Sequence, residues 1–220
     1  MLKVKNRTAL LISTIICLIP MIFALVVFKD LPPQVPIHFN AAGVADNYLP
    51  RAAAAFGMPL IMAAINAYAH FRLNADPKVE NASSVIRQAM KWAVPVVSVL
   101  FVPFSLLKAL GTNFPIPMAA MSLAGVVIII CGNYLPKCRQ NYTVGIKLPW
   151  TLDSQTNWKK THRFAGFLWV FGGLIILVNA FFSFWPVNLA VIVLLVIAPF
   201  FYSYFEYQRE KMNQAIEQKQ

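Results

Sequence analysis

Residues 142–166, YTVGIKLPWTLDSQTNWKKTHRFAG, form a hydrophilic stretch, rich in Trp, Lys, Arg and His, between two long apolar runs. The flanking runs, 115–135 and 164–184, each have about the 20 residues that an α-helix needs to cross the hydrocarbon core of a bilayer. A polar segment between two such runs is typical of a loop that joins two transmembrane helices. The stretch therefore predicts a membrane-spanning helical fold, and it is the first candidate for a functional segment on one side of the membrane.

The whole chain has the composition of a membrane protein. Of its 220 residues, 59% are hydrophobic and 12% are charged, whereas soluble domains average about 25% charged residues. Six apolar runs are long enough to span a bilayer, namely residues 8–28, 52–71, 92–110, 115–135, 164–184 and 187–205. They leave no room for a separate soluble domain. We predict an all-α membrane protein, a six-transmembrane helix bundle with an extracellular cap loop and a cytoplasmic interfacial helix.

The placement of the charges predicts the orientation. A net charge of +11 would suggest nucleic acid as the partner of a soluble protein, but membrane proteins concentrate Lys and Arg in their cytoplasmic loops. With the N-terminus inside, only Lys29, Arg51 and Lys108 of the basic residues fall outside. Both termini are therefore predicted to be cytoplasmic, and no direct nucleic-acid partner is expected.

These predictions divide the chain into six parts. The first two spans occupy residues 1–71 and include the outer cap loop, 31–51, and a cytoplasmic loop follows over 72–91. Spans three and four occupy 92–135, and a second cytoplasmic loop covers 136–163. Spans five and six occupy 164–206, and residues 207–220 form a cytoplasmic tail.

The outer loop carries the residues of an ordered cap. Pro32, Pro33 and Pro36 favour an extended or polyproline-like start, because proline fixes φ and withholds a backbone donor. Asn40, Gly43, Asp46 and Asn47 then supply turn residues. His38 and Asp46 would be metal ligands only with a third partner that the sequence does not fix. The alternative is a loop histidine that is hydrogen-bonded within the cap.

The polar stretch itself reads as a turn followed by a helix. Gly145 and Pro149 favour a turn, and Pro149 pushes Leu148 toward extended geometry. Thr151, Asp153 and Ser154 are residue types that cap helices. A helix that starts there places Trp158, Thr161 or His162, and Ala165 on one face, with Lys159, Lys160 and Arg163 largely off it. We predict an interfacial helix that has Trp158 at headgroup depth and its cations near anionic lipid, and that runs into the fifth span.

Catalytic motifs do not appear in the sequence. It has no Walker loop, GxSxG or HExxH, and only eight acidic residues. No catalytic residue, metal or cofactor is therefore predicted. Two alternatives stay open. A small transporter or lipid-binding bundle would need Asn66, His70 and Asn179 to line one cavity, and a membrane enzyme would need His38 with Asp46, or His162 with Asp153, at one site.

The loop resembles the SdpI family of bacterial membrane proteins, which are named after an immunity protein against a secreted killing peptide. The matching residues are Gly132, Asn133, Asn141, Gly145, Pro149, Trp150, Thr151, Leu152, Trp158, Thr161, His162, Arg163 and Gly166. We call residues 136–163 the signature loop. The outer loop is similar to a small uncharacterised domain often found ahead of it, through Leu31, Pro32, Val35, Pro36, His38, Phe39, Gly43 and Asp46. Lys147 stands where the family usually has Arg, so a bidentate donor is lost there.

The resemblance implies immunity and signalling in a bacterial plasma membrane. The secreted killing peptide would meet the outer cap, through Pro32, Pro36, His38, Phe39, Asn40, Gly43 and Asp46. A cytoplasmic repressor protein would be held at the membrane by Asn133, Asn141, Gly145, Lys147, Pro149, Trp150, Thr151, Trp158, Thr161, His162 and Arg163. The other expected partners are membrane lipids.

Overall fold

A computed structural model describes residues 2–40, 43–113 and 115–218, with side chains from residue 7 onward. Lys219, assigned to the cytoplasmic tail, lies outside the described residues. The elements are α1 (Leu2–Leu18), α2 (Pro20–Val27), β1 (Gln34–Phe39), β2 (Ala45–Pro50), α3 (Met58–Ala75), α4 (Ser84–Ala109), α5 (Ile116–Tyr134), α6 (Pro149–Asp153), α7 (Gln155–Asn179) and α8 (Trp185–Glu217). A π-helical turn, Ala53–Gly57, leads into α3.

The prediction of an all-α membrane bundle is confirmed. Six of the described helical segments are long and apolar enough to cross a membrane: Arg7–Val27, Ala53–Ala75, Ser84–Ala109, Ile116–Lys137, Gln155–Asn179 and Trp185–Glu217. Their bounds differ from the apolar runs because polar residues continue several helices beyond the hydrophobic stretch. In particular, α7 begins nine residues before Phe164, so the segment predicted as interfacial and the fifth span form one helix. The tail likewise continues α8 as far as Glu217.

Contacts within the chain define two compact units. Residues 1–75 and 87–119 form the first, and residues 76–86 and 120–220 form the second. In the first unit, α1 packs along α3. The core of this unit consists of small and branched apolar side chains from the helices and from the base of the cap: Ala24, Leu31, Val35, Ala54, Ala55, Val102 and Leu106.

The cap is a two-stranded antiparallel hairpin, so of the predicted extended or polyproline-like start the structure has the extended form. β1 pairs with β2 from Gln34 opposite Pro50 to Phe39 opposite Ala45, with irregularities around His38. Proline is tolerated in such a ribbon because each strand has an edge that needs no donor. The Pro36 carbonyl accepts a hydrogen bond from the Ser105 hydroxyl of α4, which fixes the hairpin to the helices below it.

The second unit contains a close crossing of α5 and α7. A Cβ added to Gly132 would lie 2.8 Å from the backbone nitrogen of Val170 and 2.9 Å from the carbonyl oxygen of Gly166. Gly125 on α5 and Gly173 on α7 approach each other in the same way, about two helical turns from Gly132 and Gly166. Glycine lets two membrane helices bring their backbones into contact. Two glycines of the family signature, Gly132 and Gly166, are therefore explained by helix packing.

Candidate functional site

The signature loop ends in a capped helix, as its residue types predict. Leu148 is extended, with φ −104° and ψ 153°, and Pro149 opens the short helix α6. The Ser154 hydroxyl then caps α7 by accepting the backbone N–H of Asn157 at 3.0 Å. Beyond the cap, Trp158, Thr161, His162 and Ala165 share a buried face, whereas Lys159, Lys160 and Arg163 are exposed. The predicted division of the helix into two faces is confirmed.

Trp158 faces the interior of the protein and not the lipid headgroups, while its depth in the membrane stays a prediction. Its side chain is only 1% exposed, and its ring stacks on the His162 ring with a centroid separation of 3.9 Å. The indole Nε1 donates to the carbonyl oxygen of Cys138 at 2.8 Å. The face that carries Trp158 therefore packs against the signature loop itself. Trp is common in membrane interfaces and in cores, so composition alone does not separate the two.

His162 joins the loop to the helix through both ring nitrogens. Nδ1 lies 2.8 Å from the carbonyl oxygen of Trp158, and because a carbonyl only accepts, Nδ1 carries the proton. Nε2 accepts the backbone N–H of Ile146 at 3.0 Å. Asp153, its partner in the enzyme alternative, is exposed. The ring is thus held by backbone groups through both of its nitrogens.

Gly145 makes room for this arrangement. Its φ is +112°, and a Cβ built on it would lie 2.4 Å from His162 Nε2 and 3.0 Å from the Trp158 ring. Side chains other than glycine rarely adopt such backbone angles. The Gly, Trp and His of the signature are therefore three parts of one contact.

Two further signature residues shape the loop from inside. The Asn141 Oδ1 accepts the backbone N–H groups of Thr143, at 3.0 Å, and Val144, at 2.6 Å. The Thr151 hydroxyl donates to the carbonyl oxygen of Ile146 at 2.7 Å and accepts the N–H of Leu148 at 2.9 Å. Both side chains are buried. They replace water as partners of loop backbone groups, which is required where backbone is buried.

A third interior contact ties the loop to α8. The Thr161 hydroxyl donates to Asn157 Oδ1 at 2.9 Å, and Asn157 Nδ2 donates to the carbonyl oxygen of Ser203 at 2.9 Å. Asn157 and Ser203 were not predicted as site residues. Asn157 lies between the cap residue and Trp158, and the face analysis of the helix would have placed it beside Thr161.

Asp76 is the site residue with the weakest sequence signal. Its carboxylate accepts the Thr143 hydroxyl at 2.5 Å and the backbone N–H groups of Lys78, at 2.8 Å, and Tyr142, at 3.1 Å. Burial raises the pKa of Asp76, but the hydrogen bonds from Thr143, Lys78 and Tyr142 outweigh it, so the pKa lies below its usual value. Asp76 thereby fastens the signature loop to the connection between α3 and α4.

We expect Asp76→Asn to lower the unfolding free energy by about 1–3 kcal/mol at neutral pH, because hydrogen bonds to a carboxylate are lost. The folded-state pKa is below the unfolded one, so this stabilisation is complete above the unfolded pKa of about 4 and is lost as the pH falls through the folded value. Thermal midpoints of parent and variant should therefore differ at pH 7 and converge below about pH 4. A difference that is independent of pH would contradict an ionised Asp76.

Other signature residues are accessible. Trp150 is partly exposed and lies among aromatic rings of α8, stacked on Tyr207 at 5.8 Å, and its Nε1 donates to the Ser203 hydroxyl at 3.0 Å. Lys147 donates to the carbonyl oxygens of Tyr142 and Thr143, both at 3.2 Å. The exposed members are Asn133, Lys147, Pro149 and Arg163. They are the signature side chains that a partner would reach.

The cap residues also divide into buried and exposed groups. His38 Nδ1 donates to Asp46 Oδ1 at 2.6 Å, with the two side chains 67% and 42% exposed. The described residues contain no group of three potential metal ligands, and the pair fits the hydrogen-bonded alternative. Pro36 is buried, and Pro32 and Phe39 are partly buried. Asn40 and Gly43 form the turn, where Asn40 Oδ1 accepts the Val44 N–H at 3.0 Å and Gly43 has φ +77°.

The polar residues of the transporter alternative have partners within their own units. In the first unit, Asn66 Nδ2 donates to Ser13 Oγ at 2.8 Å, and His70 Nε2 lies 3.1 Å from the same oxygen. In the second unit, Asn179 Nδ2 donates to Asn188 Oδ1 at 2.9 Å. Such pairs are typical of hydrogen bonds that hold membrane helices together.

Two family matches cover the segments described above. Residues 137–203 match the SdpI/YfhL protein family, and residues 15–63 match a domain of unknown function, DUF1648. This confirms the resemblance to the SdpI family. The first match contains most of the signature loop and α7, and the second contains the cap. Immunity protein SdpI of Bacillus subtilis (strain 168) is 27% identical over 188 residues, which is 86% of this chain and 89% of that protein. No solved structure matches the chain.

Proposed function

We propose that this chain is a non-enzymatic immunity protein of a bacterial plasma membrane, protecting its cell from a secreted killing peptide. The likeness to an SdpI immunity protein over 86% of the chain supports this proposal. The observation that carries it is the cap, an ordered hairpin fixed to membrane helices from below. A loop that served only as a connection would not need a hydrogen-bonded base.

In this proposal the cap faces outward and both termini face the cytoplasm, in accord with the distribution of Lys and Arg. Leu31, Val35 and Pro36 are buried and hold the hairpin. The exposed His38, Asn40 and Asp46 then make the polar contacts to the peptide, while Pro32, Phe39 and Gly43 shape the surface around them. A hairpin that is already paired has less conformational entropy to lose on association than an irregular loop would have.

The test is expression in a bacterium that the killing peptide inhibits. The parent chain should raise the inhibitory concentration of the peptide, and the double variant His38→Ala/Asp46→Ala should lower that protection by about tenfold, the effect of losing about 1.4 kcal/mol of binding. Removing both partners leaves no unpaired charge, and an exposed ion pair contributes little to stability. The double variant Thr112→Ala/Asn113→Ala, in the exposed link between α4 and α5, is the matched control.

Two outcomes separate the parts of the proposal. Absence of protection by the parent chain, at confirmed membrane levels, would overturn the immunity function. Full protection by His38→Ala/Asp46→Ala would leave immunity in place and overturn the role of the cap.

The finer part of the proposal is that the signature loop holds a repressor protein at the membrane. The support is the separation of the signature side chains into an interior network and an accessible set, which consists of Lys147, Pro149 and Trp150 in the loop and Asn133 just before it. Asn141, Gly145, Thr151, Trp158, Thr161 and His162 act here by holding the loop in shape. Lys147→Gln should weaken recruitment of a tagged regulator to membranes, whereas Lys78→Gln, an exposed cation of the neighbouring loop, should not. Equal recruitment by the parent and Lys147→Gln would count against this surface.

A further inference from the structure

Arg163 is the signature residue at the start of α7 that the interior network does not use. The preceding signature residues of this helix, Trp158, Thr161 and His162, are buried, whereas Arg163 is exposed. Lys159 lies one turn earlier and is exposed as well. Among the described residues, neither side chain has an ion-pair or hydrogen-bond partner, unlike Lys160, which contacts Glu206 at 2.5 Å. Two cations one helical turn apart thus have no anionic partner in the part of the chain that the structure describes.

The same face of α7 continues as an exposed apolar stripe. Residues 159, 163, 167 and 171 follow at intervals of four, so each side chain neighbours the next along a stripe that turns about 40° around the helix per step. Phe167 and Phe171 are 62% and 65% exposed, within a helix that is long and apolar enough to span the membrane. From Arg163 to Phe171 the helix rises about 12 Å, close to half of a hydrocarbon core of about 30 Å.

We propose that this face binds an anionic phospholipid of the bilayer. The phosphate lies between Lys159 and Arg163, with the planar guanidinium available for two parallel hydrogen bonds. One acyl chain follows Phe167 and Phe171 through its own leaflet. The charges decide the class of lipid, because a zwitterionic headgroup brings its own cation and would leave the two side chains without net compensation.

General electrostatic attraction between a basic protein surface and anionic lipid needs no particular arrangement of residues. This site instead places two cations, Lys159 and Arg163, directly before an exposed apolar stripe on the same helix. It also assigns Arg163 to lipid rather than to a repressor. Lipid bound here would hold the start of α7, and hence the signature loop packed on it, at a fixed depth in the membrane.

Native mass spectrometry of the purified full chain in detergent tests the proposal, with phosphatidylglycerol and phosphatidylethanolamine of identical acyl chains as probes. The parent should retain phosphatidylglycerol in preference, and Lys159→Gln/Arg163→Gln should lower that preference by about thirtyfold, the order expected for two basic residues at an anionic surface. Arg72→Gln/Arg209→Gln removes the same charge from two exposed positions elsewhere and should leave the preference intact. Phe167→Ala/Phe171→Ala should weaken retention, and excess glycerol 3-phosphate should not displace the lipid.

Three results would overturn the site. If Lys159→Gln/Arg163→Gln retains phosphatidylglycerol at the parent level, the two cations do not bind the lipid. An equal loss in Arg72→Gln/Arg209→Gln would reduce the effect to net charge. Displacement by glycerol 3-phosphate would make the ligand a free phosphate ester. None of these measurements involves a killing peptide, so their failure is distinct from failure of the immunity function.

Discussion

Gly145→Ala is expected to lower the unfolding free energy by about 2–6 kcal/mol and the thermal midpoint by roughly 5 °C or more. Two causes add. A backbone angle of φ +112° is strained for alanine, and the new Cβ would lie 2.4 Å from His162 Nε2 and 3.0 Å from the Trp158 ring. Because His162 is held by backbone groups on both sides, it has little room to move. The midpoint is measured by thermal unfolding in detergent.

Gly111→Ala separates these two causes. Gly111 also has a positive φ, +87°, but a Cβ there meets no atom within 4 Å. The control therefore measures strain alone, and Gly145→Ala should cost clearly more. If the two variants shift the midpoint equally, the packing of His162 and Trp158 against Gly145 is wrong.

Local chemistry in the sequence predicted much of this site. The turn at Gly145 and Pro149, the extended Leu148 and the two faces of α7 each depend on neighbouring residues alone and were predicted, and Ser154 was one of three predicted cap candidates. The spans were predicted for a similar reason, because bilayer thickness sets the length of an apolar run. Sequence reasoning thus succeeded where one segment determines the outcome.

The missed features depend on distant residues. Asp76 accepts hydrogen bonds from Tyr142, 66 residues away, and no local pattern indicates which backbone groups will approach a carboxylate. In the cap, the extended start was predicted but the pairing of β1 with β2 was not, since it joins two separate segments. The helix face that carries Trp158 was predicted, but its packing against the signature loop was not. A face that packs against lipid and a face that packs against protein contain the same residue types, so the sequence does not separate them.

The role of Trp158 gives the second large expected effect. Trp158→Ala should lower the unfolding free energy by about 3–5 kcal/mol for the lost ring. A further roughly 1–3 kcal/mol follows because the Cys138 carbonyl oxygen loses its donor inside the protein. We expect little monodisperse protein in detergent, measured as yield on size exclusion and as the thermal midpoint. Trp158→Phe keeps most of the packing and should show mainly the smaller loss.

Trp150→Ala is the matched control, because it removes the same side chain from a partly exposed position. Its Nε1 partner, the Ser203 hydroxyl, still donates to the carbonyl oxygen of Phe200 at 2.8 Å, so no buried group is left unpaired. A Trp that only anchors at headgroup depth would lose a similar, small amount at either position. Equal thermal midpoints for Trp158→Ala and Trp150→Ala would therefore indicate that Trp158 acts only as an interfacial anchor. If only Trp158→Ala has a much lower midpoint, a loss of regulator recruitment in that variant would be explained by an unfolded loop. The same loss in Trp150→Ala, which stays folded, would instead indicate a missing contact with the regulator.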